Sequence, residues 1–267
     1  MIVTHPIEKN TPTQADLMFA LAILLTSTKE EVVELRPITK TDLIDPSIWV
    51  IDTGRRYDPK LKNFDCKAKI EDSDKPLDCT SFLVAKELNL DLSLIPYLNY
   101  LNFSVQESRE SLLSRFDIDV PYEQIISPFE KWFQRQMWRK STLSTGFITT
   151  LRHLGSSIIH EIHKKEESLS EFKAAFIETI GKRKVVFVQN TMSLQKAREI
   201  IDADYVVTKF TGANGKNGHS IIKMNTAQQW KWIPIGEQEQ LSMEQNTMKI
   251  SILNKKDEDI RNLIARL

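Results

Sequence analysis

The stretch Trp49-Val-Ile-Asp-Thr-Gly-Arg-Arg-Tyr-Asp-Pro-Lys-Leu-Lys-Asn-Phe-Asp65-Cys66-Lys67 decides how this chain is read. A hydrophobic run, Trp49 to Ile51, ends in Asp52, and a turn at Gly54 follows. Tyr57-Asp58-Pro59 and Phe64-Asp65 come next. Aromatic and β-branched runs favour strands, and α/β enzymes place ligands outside the carboxyl ends of their strands. Asp52 and Asp65 therefore stand where metal ligands belong. Cys66 and Lys67 do not suit a hard cation, which prefers carboxylates or imidazoles. An ammonium within about 4 Å of a dication pair is repelled by several kcal/mol at an effective dielectric near 20. The pattern predicts a metal-binding frame with part of its ligand set missing.

The flanking sequence supplies the rest of a fold. Ile2-Val3-Thr4-His5 predicts a short strand, and Asn10 to Thr13 supplies turn and N-cap chemistry. Asp16 to Leu25 predicts a buried helix, and Glu31 to Leu35 and Ser47 to Asp52 predict strands. Strand, helix, strand, strand is the order of an α/β fold with a parallel-type sheet covered by helices. Asp78-Cys79-Thr80-Ser81 is read as the cap of a helix through Leu88, and residues 92–115 as helical. Leu143 to Lys165 and Leu169 to Ile180 are read as two further helices. Strands then follow at 184–188, 205–208, 220–224 and 248–252, with helices at 193–201 and 257–267. The charged stretch His163 to Ser168 separates an N-terminal domain, residues 1–165, from a smaller C-terminal α/β domain, residues 166–267.

Composition removes several classes. Lys+Arg and Asp+Glu both number 36, so no global field draws the chain to nucleic acid or a membrane. Eight glycines in 267 residues argue against wide use of Gly-rich phosphate loops. Cys66 and Cys79 form no CxxC pair and are read as free thiols. Leu17 to Leu25 is strongly apolar but far shorter than the roughly 20 residues that span a bilayer. The expectation is an intracellular, cytoplasmic protein with no membrane partner.

The order of the pieces resembles the melanocyte proliferating gene 1 family, metal-dependent hydrolases and RNA exonucleases of the DHH phosphoesterase superfamily. The first family motif runs Thr-His-x-Gly-x-Phe-His-x-Asp-Glu into a helix. Thr4-His5 and Asp16 are similar to it, across a longer spacing and with Gln14 in place of the second His. The second motif is Asp-x-Gly, Tyr-Asp-Pro, then Phe-Asp-His-His. It is matched by Asp52-Thr53-Gly54, Tyr57-Asp58-Pro59 and Phe64-Asp65-Cys66-Lys67. A Ser-Ser-Ala-Gly helix is matched loosely by Cys79-Thr80-Ser81. The family's Asp-x-x-Asp pair falls near Tyr97 to Asn102, which carries asparagines and no aspartate. The Val-rich strand at 185–188 and the hairpin from Phe210 to Ser220 extend the likeness through the second half.

The resemblance implies a DHH-like N-terminal domain and two divalent cations, manganese or magnesium, whose bridging water attacks a phosphodiester. Of its ligands, His5, Asp16, Asp52 and Asp65 survive. Two cations about 3.5–4 Å apart need roughly twice that number. Lys67 is expected to neutralise Asp52 and Asp65 in place of a cation. The reading is thus a catalytically impaired relative that keeps its cleft as a binding site for RNA, a nucleotide, another phosphodiester or a protein partner, with manganese, magnesium or no cofactor. Two alternatives remain: an active hydrolase using the reduced ligand set, and a structural or interaction subunit of a larger assembly.

Each residue also has a plain structural reading. Asp52 can cap the Gly54 turn, Asp58-Pro59 can be only a turn, His5 a core histidine and Cys66 a small buried residue. In the segment from Gly212 to His219, Lys216, Gly218 and His219 are candidates to grip a substrate phosphate, as the superfamily's Gly-Gly-His element implies. The same segment also suits a hairpin loop. Lys131 to Lys140 mixes aromatics and cations in a manner suited to single-stranded nucleic acid, but its helical spacing favours a packing helix with Trp132 and Phe133 inward.

Overall fold

A computed structural model of the chain describes residues 1–6, 15–69, 77–103, 122–211, 217–224, 249–253 and 256–266. The chain divides into two compact units, Met1–His163 and Lys164–Leu267. Both combine a sheet with helices, so the fold class is α/β.

The first unit is built on strands β1 (Ile2–Thr4), β2 (Val33–Leu35), β3 (Trp49–Ile51), β4 (Tyr57–Asp58) and β5 (Asn63–Phe64). Their order is β2-β1-β3-β5-β4, parallel throughout except for the edge pair β4–β5. Helix α1 (Ala15–Ser27) lies at the centre of the core, with every residue from Ala15 to Leu25 buried except Asp16. A helix apolar on all sides must be covered on all sides. The sheet supplies Ile2, Val33, Leu35 and Ile51 to the same core cluster. Helices α2 (Thr80–Glu87), α3 (Pro96–Phe103), α4 (Tyr122–Met137) and α5 (Thr145–Ala174) supply Leu83, Leu98, Phe133 and Leu151. The opposite sheet face carries a smaller cluster, Val3, Ile48 and Val50, under the segment that follows β2. That segment is latched by Arg36, whose guanidinium donates to both oxygens of Asp42 at 2.7 and 2.9 Å.

The second unit has strands β6 (Ile177–Ile180), β7 (Arg183–Val188), β8 (Tyr205–Thr211), β9 (Asn217–Lys223) and β10 (Lys249–Leu253). They lie in the order β10-β9-β8-β7-β6, and only β7–β8 is parallel. Side-chain alternation splits the core. Val185, Val207 and Ile221 pack with Ile260 and Ile264 of α7 (Asp257–Arg266). Val186, Val206 and Ile222 pack on the other face with Phe172 of α5 and Ala197 of α6 (Leu194–Ile200).

Two expectations change. The division between the units falls in the charged stretch 163–168, but the helix does not end there: α5 runs through it, because Lys164, Lys165, Glu166 and Glu167 are good helix formers. Leu169 to Ile180 is not one helix. It is the end of α5 followed by β6, since the β-branched Ile177, Thr179 and Ile180 pair with β7 across a two-residue loop. Gly181, at φ +63°, supplies the turn.

Helices α1 and α5 cross at Gly155, where an added Cβ would stand 2.1 Å from the Ala22 carbonyl oxygen and 2.3 Å from Thr26 Oγ1. Thr26 Oγ1 donates to the Ala22 and Arg152 carbonyls at 2.8 and 3.0 Å, so neither wall is free to retreat. Gly155→Ala gains up to about 1 kcal/mol of helix propensity. Overpacking against a backbone oxygen outweighs that gain, and urea denaturation is expected to register a net loss of about 1–3 kcal/mol.

Candidate functional site

From β1 the chain passes through α1 to β2 on one side, then returns to β3 on the other. The crossover direction therefore reverses between β1 and β3, and ligands of open α/β sheets bind at such a point beyond the carboxyl ends. Thr4 pairs with Ile51 at those ends, so the next residues, His5 and Asp52, flank the reversal. Asp65 follows the neighbouring β5.

Asp16 enters this place from the first turn of α1. Its two carboxylate oxygens accept from the Thr80 and Ser81 amides, each at 2.8 Å. Asp16 thus caps the N-terminus of α2 from another helix. The N-cap residue of α2, Cys79, makes no side-chain cap bond, which corrects the reading of Asp78 to Ser81 as a self-capping run. Asn102 secures the same end: its Oδ1 accepts from the Cys79 amide at 2.7 Å and its Nδ2 donates to Asp78 at 2.8 Å. Asn102 thus performs a structural task at the start of α2.

The turn-capping role considered for Asp52 falls to Asp65. Asp65, 1% exposed, closes the Gly54 turn by accepting from the Arg55 amide at 2.7 Å and the Lys67 amide at 2.9 Å. Asp52 does not cap that turn. It sits in left-handed backbone at φ +52° and turns its side chain to Lys67 Nζ at 3.2 Å and the Thr80 hydroxyl at 3.4 Å. Burial pushes the Asp52 carboxyl above its ordinary pKa. The Asp16 charge pushes the same way, and Lys67 and His5 offset this only in part. Burial works against the Lys67 ammonium, but Asp52 and Asp65 outweigh it and hold its pKa up. The Lys67 side chain is 61% exposed, so this ion pair contributes about 1 kcal/mol or less.

Asp16 and Asp52 meet with Cys66, one ligand atom of each lying within 4.8 Å of the others. Neither His5 nor Asp65 belongs to that group. Sequence reasoning passed over Cys66 as a packing residue; the available signal was its place directly after Asp65, at the end of a strand. Manganese or magnesium requires about six oxygen donors. Here two carboxylates are joined by a thiol whose pKa is pushed up, first by burial and then by the Asp16 charge. The set does not fit a pair of hard cations. Its donor chemistry is nearer to a single borderline ion such as zinc. Asp58 is a turn residue, accepting from the Leu61 amide and the Arg56 guanidinium. Both cysteines are free thiols.

In the second unit, Gly218 and His219 lie within β9, paired with Phe210 and Lys209 of β8, and not in the loop. Lys216 lies outside the described residues. His219 is 6% exposed; its Nε2 stands 2.9 Å from Asp257, which also accepts from Lys209 Nζ at 2.9 Å. Lys209, then His219, hold the Asp257 carboxyl below its ordinary pKa. These three side chains line a cavity of about 420 Å³ with Phe187, Val207 and Arg261. No described helix is long and apolar enough to cross a membrane. No protein-family model, curated protein or solved structure matches the chain.

Two outcomes follow from this geometry. Asp16→Ala is expected to cost about 2 kcal/mol in urea denaturation, with a chelator present, because the α2 amides lose their acceptor. Asp52→Asn acts in the other direction. A carboxyl with a raised folded-state pKa leaves stability intact below its unfolded value and removes it as pH rises through the folded one. The Asn variant is expected to unfold at higher urea than the wild type at pH 7, with the difference vanishing towards pH 4.

Proposed function

We propose that the first unit is a DHH phosphoesterase-like scaffold that binds a phosphate-bearing ligand, a nucleotide or an RNA end, without two-metal hydrolysis. The observation that carries this reading is the commitment of the candidate ligands. Asp16 is bound to the amides of α2, Asp65 to the amides of the Gly54 turn, and Asp52 to the Lys67 ammonium. The Lys67 ammonium engages Asp52 Oδ1, and its exposed side keeps donors for an anionic ligand. The resemblance in sequence order supports the superfamily, and the parallel order β2-β1-β3-β5 supports a site at the β1–β3 reversal.

A second reading has its own observation. The Asp16–Asp52–Cys66 group can hold one cation, and a metal-dependent phosphodiester hydrolase with a reduced ligand set would use it. Calorimetric titration of the chelator-treated protein with manganese and with zinc separates the two. The proposal expects no manganese binding in the micromolar range for the wild type or for Lys67→Ala, because two carboxylates and a thiol offer too few hard donors with or without the ammonium. Micromolar manganese binding by the wild type, abolished in Asp52→Asn, would sink the proposal and install the hydrolase.

A further inference from the structure

The charge balance of the chain hides a local imbalance. From Ser127 to His160 the only acidic residue is Glu130, against Lys131, Arg135, Arg139, Lys140 and Arg152. Glu130 turns inward and accepts from the Ala15 amide at the start of α1. Arg152 is also occupied, donating to the Leu25 and Glu30 carbonyls. The other four cations are exposed, and none pairs with a carboxylate among the described residues. They share their surface with aromatics: Trp132 is 38% exposed and Trp138 40%. The Arg139 guanidinium stacks 4.8 Å above the Trp138 ring, and the Trp132 ring meets Phe147 edge-on at 5.1 Å. Lys131, Trp132, Arg135 and Trp138 recur at helical spacing along one side of α4, and Arg139, in left-handed backbone at φ +58°, and Lys140 follow in the turn that ends it. The sequence expectation of Trp132 turned inward holds only for its neighbour: Phe133 and Met137 are fully buried.

We propose that this surface, Lys131, Trp132, Arg135, Trp138, Arg139 and Lys140, binds single-stranded nucleic acid. Cations spaced along a helix track a phosphate backbone, and exposed rings between them stack unpaired bases. Duplex presents phosphates but no free base faces, so the aromatics single out the single strand. An anionic membrane fits less well. A membrane-seated helix inserts a continuous apolar face, and in α4 Phe133 and Met137 are spent in the core while the exposed Phe129 lies away from the side that carries Lys131 and Arg135. The inference is independent of the metal question, since none of these residues belongs to the Asp16–Asp52–Cys66 group.

The test is fluorescence anisotropy of the full chain with a fluorescein-labelled oligouridylate of about 20 nucleotides, longer than the roughly 4–16 that one such groove covers. Four phosphate contacts predict a log–log salt slope of about −3. Trp138→Ala is expected to weaken binding about tenfold with the slope unchanged. Arg135→Gln with Arg139→Gln is expected to make the slope shallower by about 1.4. These positions are exposed, and circular dichroism melts confirm that each variant is folded. The proposal is overturned by no binding at low salt, by equal binding in the Trp138 and Arg135/Arg139 variants, by tighter binding to a duplex of the same length, or by capture on phosphatidylserine vesicles without oligonucleotide binding.

Discussion

The first unit hangs on one contact, the Asp16 carboxylate against the two leading amides of α2. A helix N-terminus presents unpaired N–H groups and a partial positive charge, and a carboxylate answers both. Hydrogen bonds to a charged group are the stronger kind, and the pair at this helix end contributes about 2 kcal/mol. Asp16 is fixed in turn because the helix that carries it is buried on every side. Fixing α2 in this way sets Thr80 beside Asp52, while β5 delivers Cys66 within reach of both aspartates. The fold therefore needs the Asp16 charge whether or not any ion is present, and a chemical role for that residue must be compatible with the structural one.

Electrostatics at the strand ends are unfavourable in a manner that pure structure does not require. Two carboxylates sit close together, one of them in a buried position that resists ionisation, and a half-free ammonium balances them weakly. Asp52 and Arg55 both take left-handed backbone within the same four-residue turn. Non-glycine residues in such conformations cost of order 1–3 kcal/mol and cluster at functional sites. Left-handed backbone and a displaced carboxyl pKa coincide at the β1–β3 reversal, the place at which the proposed ligand site lies. The identity of the work turns on ligand number, and Lys67 is too exposed to decide it by repulsion alone.

Much of this was legible in the residues. The β-branched run ending in Asp52 announced a strand, and an apolar run through Leu25 announced a buried helix, whereas β4 and β5, two residues each, carry no such run and were not foreseen. Local pattern misled where the deciding partner was distant. The cap of α2 comes from 64 residues away, so no reading of Asp78 to Ser81 could find it. The turn cap considered for Asp52 is made by Asp65 instead, because it depends on which carboxylate the β5 register delivers to the Arg55 amide. Charged residues at 163–168 suggested a break, but their high helix propensity let α5 continue. Conversely, β6 was masked by the alternating charges before it, and only Gly181 signalled the hairpin.

Helix α1 illustrates what such distant partnerships demand of a growing chain. Its carbonyl ends are tied to Arg152, about 130 residues later, and Gly155 forms the wall against Ala22. At roughly 5–20 residues per second a ribosome needs on the order of 10 s to deliver that wall. Throughout that interval one of the most apolar segments of the protein is made but has no complete shelter. A segment so placed is a natural client for a nascent-chain chaperone, and slower synthesis between α1 and α5 lengthens its exposure to aggregation.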